Sequence, residues 1–341
     1  MTVRGPDRAP ATGEGTMCTG LSFTTADHYF GRNLDLEFSY HETVTVTPRN
    51  FPFEFRRIPP LSTHHAIIGI ATVSDGYPLY YDGTNEKGLS MAGLNFPDNA
   101  FYPAEGAGGT EITPFEFIPW VLGQFETVAQ VKDALRSVSL VDISFSAEFP
   151  LSPLHWIIAD RTASIVVESV RDGLKVYENP WGVLTNNPTF DIQSFRLNDY
   201  RHLTRRQPDN TFAPDQSLDL YSRGMGGIGL PGDLSSSSRF IKAVFTRMNS
   251  VCGTTESESL SQFFQILGSV AQQRGCVQVG DEEKYEITIY SSCCNTDRGV
   301  YYYTTYENSQ ITGVDMHRED LDGTALAVHP LVEGQQIAMQ N

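Results

Sequence analysis

The chain has 341 residues, 40% of them hydrophobic and 19% charged, which excludes wholesale disorder and allows one large domain or about two smaller ones. With 24 Lys and Arg against 41 Asp and Glu, the formal net charge is −17, which argues against a general nucleic-acid binder but leaves room for a local basic pocket. No run reaches the roughly 18 consecutive apolar residues of a transmembrane helix, so no membrane partner is expected.

Residues 1–16 (MTVRGPDRAPATGEGT) lack the apolar stretch of a secretory signal. Together with Met17 they read as a leader or tag, disordered or removed, and Met17 can itself be the start. A single domain is expected over 18–341. Leu21 to Phe23 and Tyr29-Phe30 flank Ala26-Asp27-His28 as a first hairpin. Val44 to Thr47 alternates with period two, and Ala66 to Val73 is a buried-looking run. Tyr77 to Tyr81 and Leu89 to Asn95 form a hairpin around Asn85-Glu86-Lys87-Gly88. Thr113-Pro114-Phe115-Glu116 is a capping box with Pro at the first helical position. A second helix starts at Thr127 and carries Val128, Val131, Leu135 and Val138 at helical spacing. His155 to Ala159 pairs with Ser164 to Ser169 across Asp160-Arg161-Thr162, and Leu174 to Tyr177 follows. A third helix begins near Ser236, with Phe240, Ile241, Val244, Phe245 and Met248 on one side. A fourth runs from about Ser259 through Phe263, Phe264 and Leu267. Glu286 to Tyr290 and Val300 to Thr305 close the chain. Hairpins separated by blocks of helix predict an α+β fold with two mainly antiparallel sheets and helices outside.

The common chemical motifs fail one by one. Gly224-Met225-Gly226-Gly227-Ile228-Gly229 matches GxGxxG, but Leu230-Pro231-Gly232 follows where a dinucleotide site needs a helix, so a loop is expected. There is no P-loop, no HExxH and no GxSxG. His64 and His65 are neighbours that a strand would turn to opposite faces, so joint metal ligation is not expected. The five cysteines are an odd number without a CxxC pair, which points to a reducing, cytoplasmic setting.

A thiol remains as the most reactive group. If residues 1–17 are removed, Cys18 carries both a thiol and a free α-amine, whose ordinary pKa of about 8 suits a base at working pH. Gly31-Arg32-Asn33-Leu34-Asp35 lies at the end of the first hairpin, far enough along to fold back beside Cys18. Arg32 can hold the sulfur as thiolate by charge, and Asp35 can accept hydrogen bonds from the α-ammonium. The plainer account of Arg32 and Asp35 is a surface ion pair.

Met17-Cys18-Thr19-Gly20 and Tyr29 to Asp35 resemble the choloylglycine hydrolase family, which holds bile salt hydrolases and penicillin V acylases. The resemblance continues through Asn85 to Leu89, Ala92 to Pro97, Pro114 to Phe117, Leu184 to Pro188, Gly229 to Asp233, Ser238 to Phe240 and Tyr303 to Tyr306. It implies an N-terminal-nucleophile hydrolase fold, an αββα sandwich. It implies Cys18 as nucleophile with its α-amine as base, Arg32 and Asp35 as the charged pair beside it, Asn95 and Asn186 on the oxyanion side, and Arg239 as a second active-site arginine. Asn186 rather than Asn187 aligns directly after Thr185. Asn95 resembles the bile salt hydrolases, since penicillin V acylases tend to carry Tyr there. The implied substrates are therefore glycine- or taurine-conjugated bile salts, with no cofactor and no metal. The alternative within the family is a penicillin V acylase or another N-acyl amidase. The alternative outside it is an inactive amphiphile-binding protein, should Cys18 stay masked. The family also implies a homo-oligomer, usually a tetramer. For the apolar pocket that a sterol needs, Phe23, Phe96, Phe101 and Leu151 are the candidates.

Overall fold

The computed structural model describes residues 17–281 and 283–341. In chain order the strands are β1 (Cys18–Thr24), β2 (His28–Leu36), β3 (Thr43–Thr47), β4 (Ile67–Ser74), β5 (Tyr77–Asn85), β6 (Ser90–Asn95), β7 (Thr110–Ile112), β8 (Val138–Leu140), β9 (Leu154–Ala159), β10 (Ser164–Val170), β11 (Gly173–Glu178), β12 (Val183–Leu184), β13 (Ile287–Asn295), β14 (Val300–Thr305), β15 (Asn308–Asp315) and β16 (Ala327–Pro330). One antiparallel sheet has the order β12-β1-β2-β13-β14-β15, and the other has the order β11-β10-β9-β6-β5-β4-β3-β16. β7 and β8 form a small parallel pair apart from both.

Among the described residues the α-helices beside the sheets are α1 (Phe117–Gln124), α2 (Val128–Ala134), α3 (Phe190–Arg196), α4 (Ser236–Asn249) and α5 (Glu256–Gly268). α1 lies on β4, β5 and β6, whereas α4 and α5 lie on the other sheet, against β1 and β13. The two sheets face each other through β1 and β6 and through β2 and β5. The molecule is thus the αββα sandwich. Strand alternation builds its two cores. On β9, Trp156 and Ile158 enter the core beneath α1 and α2, whereas Ile157 and Ala159 enter the core between the sheets.

Most predicted elements stand where the sequence placed them. The first hairpin pairs Cys18 with Leu34 and Gly20 with Arg32. Thr127 caps α2, accepting from the Gln130 N–H. Three readings change. α2 ends at Ala134, and Val138 opens β8 instead of extending the helix, because it finds a parallel partner in Thr110 that spacing cannot reveal. α5 starts at Glu256, earlier than Ser259, because Thr255 and Glu258 form a capping box. On α4, Phe240, Ile241 and Val244 are buried but Met248 is exposed, so its apolar face is shorter than predicted.

Candidate active site

Cys18 opens β1 and is buried. The tight turn Thr25 to Asp27 folds β2 back along it, which brings residues 32–35 beside the thiol. Arg32 and Asp35 are both fully buried, so they are not a surface ion pair. They stand three residues apart on a strand, which directs them to opposite faces. Arg32 donates from Nη2 to the Cys18 Sγ, and from Nη1 to the carbonyls of Gly93 and, at 3.1 Å, Tyr81. Both carbonyls belong to the opposing sheet. Asp35 accepts at Oδ1 from the Thr288 hydroxyl at 2.6 Å. Its Oδ2 is buried with no hydrogen-bond partner among the described residues. The Asp35 N–H donates to the Met17 carbonyl at 3.0 Å.

Two more predicted residues close around the Cys18 backbone. The Cys18 N–H donates to Asn186 Oδ1 at 2.9 Å. Asn186 Nδ2 donates to the Asn95 carbonyl at 2.7 Å, tying the two asparagines together. Backbone hydrogen bonding from Asn95 and from Asp35 also pulls the Cys18 thiol down. Arg239 on α4 is almost wholly buried and donates to the Cys18 carbonyl at 2.6 Å, to Thr19 Oγ1 at 2.7 Å and to Asn186 Oδ1 at 2.7 Å. Cys18, Arg32, Asp35, Asn95, Asn186 and Arg239 therefore gather at one place from β1, β2, β6, α4 and the loop after β12.

Burial dominates the electrostatics. It pushes the Cys18 thiol up, and Asp35 adds to this, while the Arg32 charge pulls it down. Burial also lifts the Asp35 carboxyl to about 6 against the pull of Arg239, the Thr288 hydroxyl and Arg32. Sequence reading missed Glu286, a buried carboxyl that accepts from the Met17 N–H and is pushed to about 8 by burial and by Asp35. It also missed Asp82, which sits under Arg32 and accepts from Ser292 at 2.8 Å, Tyr301 at 2.7 Å and Tyr290 at 3.2 Å. Both lie tens to hundreds of residues from Cys18, where no local spacing can find them.

A cavity of about 440 Å³ opens over this cluster, with Cys18, Arg32 and Asn95 in its wall. Leu79, Ile118, Ile143, Phe149, Leu151 and Trp156 give it a mostly apolar lining. Of the four side chains expected at a pocket wall, Leu151 is there and the three phenylalanines are not. Phe23 is packed in the core, on the face of β1 that alternation turns toward α4 and α5 and away from the other sheet. Phe96 is fully buried and stacked on His155, because alternation along β6 turns it behind the site. Phe101 is partly exposed against Arg171. A smaller cavity of about 300 Å³ lies beyond Phe115 and Phe145 and holds none of the clustered residues.

Elsewhere, the GxGxxG stretch is a loop with one 3-10 turn at Met225–Gly227. His64 bonds the Phe51 and His65 carbonyls through its two ring nitrogens. Among the described residues no cluster of three His, Cys, Asp or Glu side chains suits a metal ion.

The model of the choloylglycine hydrolase family of linear amide C–N hydrolases matches residues 18–329. A bile salt hydrolase/transferase of Lactiplantibacillus plantarum is 57% identical over 315 residues, covering 92% of this chain and 97% of its own. One from Clostridium perfringens is 43% identical over 318 residues, covering 92% and 96%. Among solved structures, a variant of the conjugated bile acid hydrolase from Clostridium perfringens superposes with a TM-score of 0.88 at 41% identity, over 95% of this chain and 100% of that one. The penicillin V acylase of Agrobacterium tumefaciens shares the fold, with a TM-score of 0.70 at 20% identity over 91% and 90% of the two chains.

Proposed function

The chain belongs to the choloylglycine hydrolase family of linear amide C–N hydrolases, and we propose that Cys18 is its nucleophile in cleaving the amide bond of glycine- and taurine-conjugated bile salts. The observation that carries this is the set of contacts on one residue: Arg32 on the thiol, Asn186 on the nitrogen, and an apolar cavity opening from the same point. Removal of residues 1–17 turns the Cys18 N–H into an α-amine. A thiol held up by burial needs a base, and this amine is within reach of Sγ on the same residue. It takes the thiol proton as Sγ attacks the amide carbonyl, and Arg32 stabilises the thiolate as it forms. Asn95 and Asn186 hold the tetrahedral oxyanion, and loss of one such donor costs about 3 kcal/mol. The amine returns the proton to the departing glycine or taurine nitrogen. Water then hydrolyses the acyl thioester, and Cys18 is regenerated. The orphaned Asp35 Oδ2 supports the amine reading, since a buried acceptor without a donor suits an ammonium that gains N–H bonds when the peptide link is cut.

The test is intact mass combined with rates on glycocholate, taurocholate and penicillin V. A mass beginning at Cys18 and faster turnover of the bile salts are expected. Full activity in protein that retains Met17 would overturn the mechanism, and faster turnover of penicillin V would overturn the substrate.

A second reading rests on the relatives that are named hydrolase/transferase. The same thioester can pass its acyl group to an amine instead of water, so glycine added to a turnover of taurocholate should yield glycocholate.

We also propose a homotetramer. The irregular segment 201–234 and the neighbouring α3 expose Phe195, Phe212, Leu218, Tyr221 and Ile228, an apolar set that a monomer seldom presents. Light scattering on the purified protein should give four times the monomer mass, and Phe212→Ser with Tyr221→Ser should lower it. All five cysteines are unpaired, which supports a cytoplasmic setting, and no helix among the described residues is long and apolar enough to cross a membrane.

A further inference from the structure

Behind the asparagines lies a pair of ionisable side chains that the mechanism above does not use. His155 on β9 faces Glu168 on β10, and both are fully buried. His155 Nε2 stands 2.8 Å from the Thr185 carbonyl and Nδ1 stands 3.1 Å from Glu168 Oε1. A carbonyl oxygen can only accept, so Nε2 must carry a proton. One further proton is then shared between Nδ1 and the carboxyl. Glu168 Oε1 also accepts from the Phe190 N–H at 2.9 Å, while Oε2 has no partner among the described residues. A buried carboxyl left half-satisfied is costly unless a further hydrogen bond lies against it, and Nδ1 of His155 supplies that bond.

The plane of the same ring is used as well. Phe96 stacks on His155 at 4.2 Å between centroids and 7° between planes. The two residues so held, Thr185 and Phe96, are the chain neighbours of Asn186 and Asn95. β6 is further fixed to β9 by pairing of Leu94 with His155 and by the Phe96 N–H on the Pro153 carbonyl at 2.7 Å. We infer that His155, locked by Glu168, is a positioning residue that sets Asn95 and Asn186 relative to the thiol, gripping one through its ring edge and the other through its ring face. The inference rests on the assignment of those asparagines to the oxyanion.

A displacement of about 1 Å at a reacting centre costs about 100-fold in rate. His155→Phe keeps a ring against Phe96 and deletes both nitrogen contacts. Its kcat on glycocholate should fall about 100-fold, with KM within about threefold and with the rate of Cys18 alkylation by iodoacetamide, read on the Cys18 peptide, within about twofold of the parent, because Arg32, the largest pull on the thiol, keeps its place. Glu168→Gln keeps the shape and the Phe190 bond, guards against failure of the first variant to fold, and should lower kcat about tenfold with the same alkylation rate. Unchanged kcat in Glu168→Gln, or loss of kcat and alkylation together in both variants, would overturn the inference. Asn186→Ala is the control for the reading beneath it: full kcat in that variant would remove the oxyanion assignment itself, whatever His155 does.

Discussion

Arg32→Met gives the most direct test of the electrostatics at the thiol. Arg32 is fully buried, and its Nη2 donates to Sγ, so its charge acts on the nascent thiolate with little solvent between them. Two unit charges about 4 Å apart interact by about 4 kcal/mol at an effective dielectric near 20. At about 1.4 kcal/mol per pKa unit this is an upper bound of about three units. Water entering the space left by the guanidinium recovers part of it, so a rise of about two units is expected. Burial and Asp35 both push the thiol up once Arg32 is gone, and only the weaker backbone hydrogen bonding from Asn95 and Asp35 still pulls it down. The assay is the pH dependence of iodoacetamide modification at the Cys18 peptide, in a Cys252→Ser, Cys276→Ser background because those thiols are half-buried and exposed. The thiolate fraction at neutral pH should drop about 100-fold, and kcat/KM with it. Arg32→Lys keeps the charge but not the fork that reaches the thiol through Nη2 and the Gly93 and Tyr81 carbonyls through Nη1, and should fall between the two. A modification profile for Arg32→Met within about half a unit of the parent would refute the reasoning.

Cys18→Ala should abolish hydrolysis with a thermal midpoint close to the parent's, since the change removes one sulfur at a cavity wall; turnover near the parent rate would end the nucleophile assignment. Asp35 at about 6 and Glu286 at about 8 hold their protons more tightly in the folded chain than in the unfolded one. Their contribution to stability is therefore full below about pH 4 and is lost as pH rises through 6 and then 8. Melting curves from pH 5 to 9 should show the midpoint falling, and Glu286→Gln should flatten the upper part of that fall. Gly31→Ala should destabilise by about 3 kcal/mol in urea titration, because its Cβ would stand 2.0 Å from the Ser292 carbonyl oxygen on β13.

The residues legible from sequence are those whose chemistry is local. Cys18, Arg32 and Asp35 lie within one hairpin, and a turn signal at Ala26-Asp27-His28 suffices to bring them together. Asn95, Asn186 and Arg239 came from motif resemblance, because no periodicity links β6, the loop after β12 and α4. The pocket wall was poorly legible for a physical reason. An aromatic residue next to a site residue on a strand points to the other face, which took Phe96 away from the cavity and set it on His155. Leu151 reached the wall from a loop, where no such alternation applies. The buried polar support left a faint mark that composition alone does not decode. Glu168 follows Ile165-Val166-Val167 and His155 precedes Trp156-Ile157-Ile158, each a charged or titratable residue set into an apolar strand. In a two-sided core such a residue must find a partner across the sheet, and both did. The net charge of −17 misleads in the same way, since it counts mainly what faces water. Arg32 and Arg239, two of 24 basic residues, are wholly or almost wholly buried beside Cys18 among the carboxyls of Asp35, Asp82 and Glu286, so the overall count says nothing of the charges arranged around the thiol.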